Sequence, residues 1–246
     1  MLSVKILLKD FKEMIRRTAF CAGADGNDSC SGVFLEKHCG SLVMAATNNR
    51  RLGFAKMDAG EAFPDFCRFM VSASVLKKIA KLKADASTLS ISVSDKEVCF
   101  CIGSTSITAK RLSCRLGGFP QNQEEFPRIF PLSFTVDRLS FLEALRMVSL
   151  VIDLNLGHPV YASLSPGLLA LRTDYDGESA EVEEIPCGYS GEKTEAVFNT
   201  RYIREVTEHI HTECVTIRFA DDHLNVAVLP EPQHDYFYLF AQTRRD

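Results

Sequence analysis

The sequence lacks features that would tie it to a membrane, a secretory route or a bound metal. No run of about 18 apolar residues occurs in the 246-residue chain, which excludes an ordinary transmembrane helix. Residues 1–5 are not followed by a long apolar segment and a small-residue cleavage site, so we expect no secretory signal peptide. The nine cysteines include no C-x-x-C pair, and no zinc site of closely spaced ligands is expected. We expect free thiols in a reducing cytoplasm.

Signature motifs of enzymes are also lacking. The chain contains no H-E-x-x-H, no G-x-S-x-G, no phosphate-binding lysine loop and no glycine-rich dinucleotide turn. His209 and His211 lie two positions apart, so on a helix they face different directions and make a poor metal-binding pair. The acidic pairs at 183–184 and 221–222 are typical of strand ends and turns. We therefore expect a non-catalytic protein with no cofactor and no metal.

Positive charge is concentrated in two segments, although the whole chain has a formal net charge of −4. Residues 9–20 have a net charge of +2 and residues 74–83 of +4. The segments 137–151 and 199–211 are each neutral, so the remainder of the chain has a net charge of −10. This segregation indicates a functional basic face on a chain that is not basic as a whole.

One pattern, a strand followed by a helix and three further strands, occurs four times along the chain. Similar strand sequences at 4–8, 69–72, 134–137 and 196–199 precede helices predicted over 9–20, 74–83, 138–151 and 200–211. Ser74 is the expected N-cap of the second helix. A fold built from repeats usually takes its function from a surface that the repeats form together.

The repeats predict an α+β fold of two similar domains. A segment rich in Gly, Pro, Gln and Glu, residues 117–131, separates the halves, so we place the domains at 1–130 and 131–246. Strands that alternate polar and apolar residues, such as 214–219, have one dry face that helices must cover. Each domain should therefore contain two β-α-β-β-β units, with antiparallel sheets and two helices on one face.

Several segments, taken in order, resemble one known family. They are residues 32–36, 46–52, 111–112 and 119–120 in the first half, and residues 176–185, 188–191 and 198–203 in the second. Together they are similar to the second and third domains of the bacterial DNA polymerase III beta sliding clamp. The likeness covers nearly the whole chain, and the family's first domain has no counterpart in it.

The resemblance implies a DNA-clamp (processivity) fold and a sliding-clamp function in DNA replication. In this family two three-domain chains close into a ring around double-stranded DNA, and helices line the hole. Cations on those helices would attract phosphates without reading bases. The DNA-binding residues expected from this resemblance are Lys9, Lys12, Arg16, Arg17, Lys77, Lys78, Lys81, Lys83, Arg138, Arg146, Arg201 and Arg204.

The resemblance also implies a cleft between the two domains that binds short apolar peptides of polymerases and clamp loaders. The expected cleft residues are Thr47, Arg50, Arg51, Leu52, Arg128, Ile129, Leu239, Phe240, Ala241, Gln242, Thr243 and Arg244. The chain departs from the family pattern at 48–50, where Asn-Asn-Arg replaces Asp-Gly-His. It departs again at 241–244, where Ala-Gln-Thr-Arg replaces an apolar residue, Met-Pro, another apolar residue and Arg. Without the flexible Met, the cleft is expected to be weaker or tuned to other partners.

A second hypothesis is a truncated clamp-like module that binds polymerase-type peptides without encircling DNA. In the family, the ring closes between the first domain of one chain and the third domain of the next. Without a first domain, self-association into a ring would need a new head-to-tail contact, which closes only if its rotation is right. The mass in solution and retention on circular DNA distinguish the two hypotheses.

Overall fold

The computed structural model describes most of the chain, and within it the protein forms two compact units, residues 1–121 and 122–246. The boundary expected from composition, after residue 130, lies further along the chain than this division. The described residues are 2–24, 30–38, 40–58, 68–113, 130–150, 152, 158–175, 178–220, 225–233 and 235–241.

The described part of the first unit contains two helices and eight strands. A short 3-10 turn, Ala19–Cys21, continues the first helix. In chain order the elements are β1 (Leu2–Leu7), α1 (Leu8–Thr18), β2 (Gly32–His38), β3 (Ser41–Thr47), β4 (Arg51–Asp58), β5 (Arg68–Ser72), α2 (Ala73–Lys81), β6 (Thr88–Val93), β7 (Glu97–Ile102) and β8 (Thr105–Lys110).

The second unit repeats the same order of elements. In chain order they are β9 (Leu132–Asp137), α3 (Arg138–Val148), β10 (Pro159–Ser165), β11 (Leu168–Tyr175), β12 (Glu178–Pro186), β13 (Thr194–Asn199), α4 (Thr200–Glu208), β14 (Cys214–Phe219), β15 (Asn225–Glu231) and β16 (Tyr236–Ala241). The four-fold pattern of a strand, a helix and three strands is therefore confirmed.

The two repeats of each unit exchange their first strands. In the first unit β1 pairs with β6 of the second repeat, while β5 pairs with β2 of the first repeat. The second unit does the same, since β9 pairs with β14 and β13 pairs with β10. The resulting neighbours are β1-β6-β7-β8 and β5-β2-β3-β4 in the first unit, and β12-β11-β10-β13 and β16-β15-β14-β9 in the second, all antiparallel.

Each helix buries one face against the sheets and packs against the other helix of its unit. In α1 the buried face includes Phe11 and Ile15, and the ring of Phe11 lies 6.0 Å from that of Phe100 in β7. In the second unit Phe134 is the centre of an aromatic cluster, with Phe198 and Phe219 at 6.5 and 6.2 Å between ring centroids. The α1–α2 and α3–α4 contacts complete the two cores.

The helix ends differ slightly from those expected. The N-cap of α2 is Ser72, whose hydroxyl accepts from the amide of Ser74, so the expectation that Ser74 caps this helix is wrong. The helix α3 ends at Val148, and the hydroxyl of Ser149 donates to the carbonyl of Leu145 at 2.6 Å, which satisfies a terminal acceptor. Among the described residues no helix is long and apolar enough to cross a membrane.

Asp137 caps α3 and should make the stability of the second unit pH-dependent. Its carboxylate accepts from the hydroxyl and the amide of Ser140 at 2.6 and 2.8 Å, and these bonds hold the pKa of Asp137 below its usual value. Asp137→Ala should therefore lower the free energy of unfolding by about 1 kcal/mol near neutral pH. Denaturant unfolding followed by circular dichroism measures this loss.

The sign of the pH effect follows from the lowered folded-state pKa. The ionised cap contributes fully above the unfolded-state pKa, and its contribution is lost as the pH falls through the folded-state pKa. The difference between the wild type and Asp137→Ala should therefore shrink in acid. Asp137→Asn is the control, because its amide oxygen still caps the helix but does not titrate. A wild-type advantage over Asp137→Ala that is constant across pH would contradict this role.

Candidate nucleic-acid interface

Helix α1 carries a row of cations on the side opposite its buried face. Lys9, Lys12 and Arg16 follow one another at spacings of three and four, which place them on one side of a helix. Lys9 and Arg16 are exposed, and Lys12 is half-buried. Arg17 lies beside this row and is half-buried. The helix therefore stays attached to the core while it directs positive charge outward.

Helix α2 is more strongly basic because it contains no acidic residue. Its apolar positions, Leu76 and Ile79, are fully buried, whereas Lys77, Lys78 and Lys81 are exposed. Lys83 follows the end of the helix and is exposed as well. Lysines at the C-terminal end of a helix are stabilised by the partial negative charge of its last carbonyls.

The two basic helix faces meet in one place. The Nζ atom of Lys12 donates to the carbonyl oxygen of Leu82 at 2.6 Å, which joins α1 to the residue after the last turn of α2. A shallow open depression lies along this contact. It is lined by Lys12, Arg16, Ala80, Lys81, Leu82, Lys83, Ala84 and Asp85. Four cations and one carboxylate therefore surround a site that is open to solvent.

Glu13 partly neutralises α1. Its two carboxylate oxygens lie 3.2 Å from Nη1 of Arg16 and 3.1 Å from Nε of Arg17. Exposed pairs of this kind contribute little free energy, so a phosphate can compete with the carboxylate for Arg16. The part of the chain that the structure describes offers no ion-pair partner within 4.0 Å to Lys9, Lys77, Lys78, Lys81 or Lys83.

Three of the four corresponding cations of the second unit are paired with carboxylates. Glu208 pairs with Arg204 on the same helix at 3.2 Å and with Arg146 on α3 at 3.7 Å. Arg201 pairs with Glu205 at 3.7 Å. Arg138 donates from Nε to the carbonyl oxygen of Thr212 at 2.9 Å. The helix pair of the second unit is therefore much less positive than that of the first.

Such a surface can bind a polyanion but cannot read its sequence. Lysine ammonium groups on flexible stems act as point charges that follow a phosphate backbone, and phosphate contacts carry no sequence information. Within the described residues, no group of three or more His, Cys, Asp or Glu side chains could hold a metal ion.

The first part of the predicted cleft is the hairpin between β3 and β4. The side-chain oxygen of Asn48 accepts from the amides of Arg50 and Arg51 at 3.0 and 2.9 Å, which closes the turn. Asn49 has a φ of 69°, a left-handed conformation that Asn tolerates better than other non-glycine residues. The family pattern has Gly at this position, and Gly adopts a positive φ without steric cost.

Thr47, Arg51 and Leu52 form the base of this hairpin. The hydroxyl of Thr47 donates to the carbonyl of Arg51 at 2.7 Å, and Leu52 is half-buried. Arg51 is only 8% exposed, because its guanidinium donates to the carbonyl of Phe20 at 2.7 Å and lies 5.3 Å from the centre of that ring. Arg51 therefore fixes the hairpin to the end of α1, whereas Arg50 is exposed to solvent.

The other predicted cleft residues lie in the second unit or outside the described residues. Leu239 and Phe240 are 8% and 1% exposed, and the ring of Phe240 lies 6.3 Å from that of Tyr202. Ala241 is exposed at the end of β16. Arg128, Ile129, Gln242, Thr243 and Arg244 fall outside the part of the chain that the structure describes.

Sequence reasoning missed two features of the helix faces. The contact between Lys12 and the Leu82 carbonyl joins residues 70 positions apart, and no sequence pattern announces it. The second missed feature is the pairing of the Glu208 carboxylate with Arg146, which depends on the packing of α3 on α4. The pairing of the same carboxylate with Arg204, in contrast, has the four-residue helix spacing and is visible in the sequence.

Comparisons with known proteins confirm the resemblance that the sequence indicated. Residues 5–121 match the central-domain model of the DNA polymerase III beta subunit, and residues 123–244 match its C-terminal-domain model. A curated relative from Treponema pallidum, named beta sliding clamp, is 23% identical over 242 residues, covering 96% of this chain and 64% of that protein. The chain thus spans less than two thirds of this relative's length.

Solved structures agree in fold. The DNA polymerase III beta subunit of Thermotoga maritima matches with a TM-score of 0.88 at 20% identity, over 100% of this chain and 66% of its own. The subunit from Pseudomonas aeruginosa matches with a TM-score of 0.88 at 25% identity, over 100% and 67%. The predicted α+β clamp fold is therefore confirmed.

Removing the carboxylate shared by Arg146 and Arg204 should strengthen binding of duplex DNA. Glu208→Gln leaves both guanidinium groups without their anion, and we expect affinity to rise about twofold, the scale of an exposed ion pair. The control is Glu184→Gln, at an exposed position of β12. It changes the net charge by the same amount and should raise the affinity for DNA less. Equal gains for both variants in a fluorescence-anisotropy titration would show that only the total charge matters.

Proposed function

The chain belongs to the DNA polymerase III beta subunit family, and we propose that it acts as the central and C-terminal parts of a DNA sliding clamp. In this role it holds duplex DNA without sequence preference and tethers the replicative polymerase and the clamp loader. The observation that carries the proposal is the packed pair α1 and α2, whose outward faces are lined with lysine and arginine while their apolar faces lie in the core.

The proposed function needs attraction without fixed contacts. Ammonium groups attract phosphates over roughly 10 Å at 0.1 M salt and release the counterions that the phosphates had condensed. Because each lysine side chain can exchange one phosphate for the next, the protein can move along DNA without breaking a directional bond. The first unit supplies most of this attraction, and Arg138, Arg146, Arg201 and Arg204 of the second unit contribute less because of their local partners.

We propose a non-catalytic role for the chain. Tethering a polymerase to its template requires no bond to be made or broken, and the proposed DNA surface consists of cations rather than a nucleophile paired with a base. The protein would act as a processivity factor, and polymerase would supply the chemistry.

The proposed partner site includes the β3–β4 hairpin of the first unit. In the hairpin the exposed Arg50 and the half-buried Leu52 are the groups available to an incoming peptide, while Arg51 holds the loop in place. An apolar anchor of a polymerase or loader peptide would contact Leu52, and Arg50 would attract its acidic residues. Residues 239–244, which the resemblance also implies, are proposed as further partner-binding residues.

Reversing charge on α2 should weaken DNA binding in a salt-dependent way. Lys77→Glu with Lys81→Glu removes two phosphate contacts, and each contact contributes about 0.9 to the slope of log affinity against log salt. We therefore expect lower affinity and a slope reduced by roughly two in anisotropy titrations with a duplex oligonucleotide.

The matched control places the same charge change elsewhere on the first unit. Lys96→Glu with Lys110→Glu alters two exposed lysines at the β6–β7 turn and on β8. This variant should keep most of the wild-type slope. Equal losses of slope in the two variants would contradict a localised DNA surface on the helices.

Peptide binding should depend on the hairpin. Leu52→Ala removes a half-buried apolar contact and should weaken binding of a polymerase-type peptide several-fold, measured by calorimetry. Leu168→Ala is the control, because Leu168 is an exposed leucine of the second unit outside the proposed cleft. A peptide affinity that Leu52→Ala leaves unaltered would show that the cleft lies elsewhere.

The paired charges on α3 and α4 favour a second candidate function, a module that binds polymerase-type peptides without encircling DNA. Native mass spectrometry followed by retention on nicked circular and linear DNA separates the candidates. A closed ring should stay on circular DNA and slide off linear DNA. A monomer that is retained equally on circular and linear DNA would favour the peptide-binding module.

A further inference from the structure

Strand β7 carries two cysteines on the face opposite the core. Val98, Phe100 and Ile102 are buried, and the alternating positions Cys99 and Cys101 lie on the other side of the strand. Their sulfur atoms are 3.7 Å apart. Cys101 is exposed and Cys99 is partly exposed, so both thiols can be reached from solvent.

Small polar residues surround the two thiols. Across the sheet Cys99 is paired with Ser92 and Thr108, and Cys101 is paired with Ser90 and Ser106. None of these side chains is large enough to cover a neighbouring sulfur atom. The pair therefore lies on an open patch that a small molecule can approach.

Hydrogen bonds prepare Cys99 for reaction. The hydroxyl of Ser106 lies 3.2 Å from its sulfur, and this contact, together with those of Thr108 and Cys101, lowers the pKa of Cys99 against the opposing effects of desolvation and of Glu97. Lys5 of β1 lies in the same cross-strand row as Ser90 and Cys101 and adds a positive charge to this face. Thiolate is the reactive form of cysteine.

The other thiols that the structure describes lack this environment. Burial raises the pKa of Cys187, and burial with the nearby Glu213 raises the pKa of Cys214. Cys21 and Cys30 are buried. Among the described cysteines, 99 and 101 thus combine exposure with a neighbouring thiol within 3.7 Å.

We propose that Cys99 and Cys101 form a reversible thiol–disulfide exchange site for low-molecular-weight disulfides of the glutathione type. The Cys99 thiolate attacks one sulfur of the small disulfide, forms a mixed disulfide and releases one small thiolate, which takes a proton. Deprotonated Cys101 then attacks the sulfur of Cys99, forms the intrachain disulfide and releases the second small thiol. The two cysteines lose two electrons and two protons, and the small disulfide gains them.

The geometry favours a labile product over a permanent cross-link. Residues two apart on a strand have Cα atoms separated by about 6.6 Å, close to the upper end of the range that disulfides bridge. Formation of the disulfide must therefore shorten β7 locally, although β7 is paired with β6 on one side and with β8 on the other. A strained, exposed disulfide is easily reduced, which makes the site a reversible one.

Treatment of the whole chain with oxidised glutathione tests the proposal. After acid quenching, alkylation and trypsin digestion, residues 97–110 form one peptide whose only cysteines are 99 and 101. We expect the wild-type 97–110 peptide to carry the Cys99–Cys101 disulfide and therefore to lack two hydrogens. This disulfide should form several-fold faster than Cys187 or Cys214 becomes glutathionylated. Cys101→Ser should stop at a stable mixed disulfide on Cys99, and Cys99→Ser should react slowly.

Two further variants separate reactivity from folding. Ser106→Ala should slow the first step and move its pH dependence to higher pH, because the thiolate loses its hydroxyl partner. Cys214→Ser should leave the 97–110 peptide reacting as in the wild type. A wild-type peptide that stays reduced, or that retains glutathione without closing, would overturn the proposal.

Discussion

The exchange of first strands between two repeats is the constraint on which each unit depends. Because β1 completes the sheet of the second repeat and β5 that of the first, neither repeat can bury its apolar faces alone. This exchange forces α1 and α2 into one core, where Phe11 packs against Phe100 of the other repeat. It also brings together cations that are far apart in sequence, so the basic face is a consequence of the packing.

The two units use the same fold with different electrostatics. Helix α2 lacks acidic residues, whereas α4 places carboxylates four residues after its arginines. A uniform basic lining would hold DNA more tightly, but a protein that must move along a polyanion benefits from weak attraction at part of its surface. In the proposed role the first unit would therefore provide most of the attraction for DNA, whereas the arginines of α4 are paired with carboxylates of the same helix.

Much of the fold and part of the site could be predicted from the sequence, because both follow local patterns. Period-2 strands, amphipathic helices and the lysines at 77, 78 and 81 are visible in short windows. The strand exchange, the bond from Lys12 to Leu82 and the pairing of Arg146 with Glu208 depend on contacts between distant segments. Two serines, Ser72 and Ser74, fit the same local rule for the N-cap of α2, and only the structure distinguishes them. Arg51 fits a peptide site by pattern, yet its guanidinium holds the hairpin to Phe20.

Lysine labelling in the presence and absence of duplex DNA tests the basic face most directly. An amine-reactive acylating reagent modifies exposed lysines, and mass spectrometry then gives the extent at each position. We expect DNA to protect Lys9, Lys77, Lys78, Lys81 and Lys83 at low salt, and this protection should fade as salt rises. Lys96 and Lys110 should react equally with and without DNA. Protection of Lys96 and Lys110 with unchanged labelling of the helices would contradict this expectation.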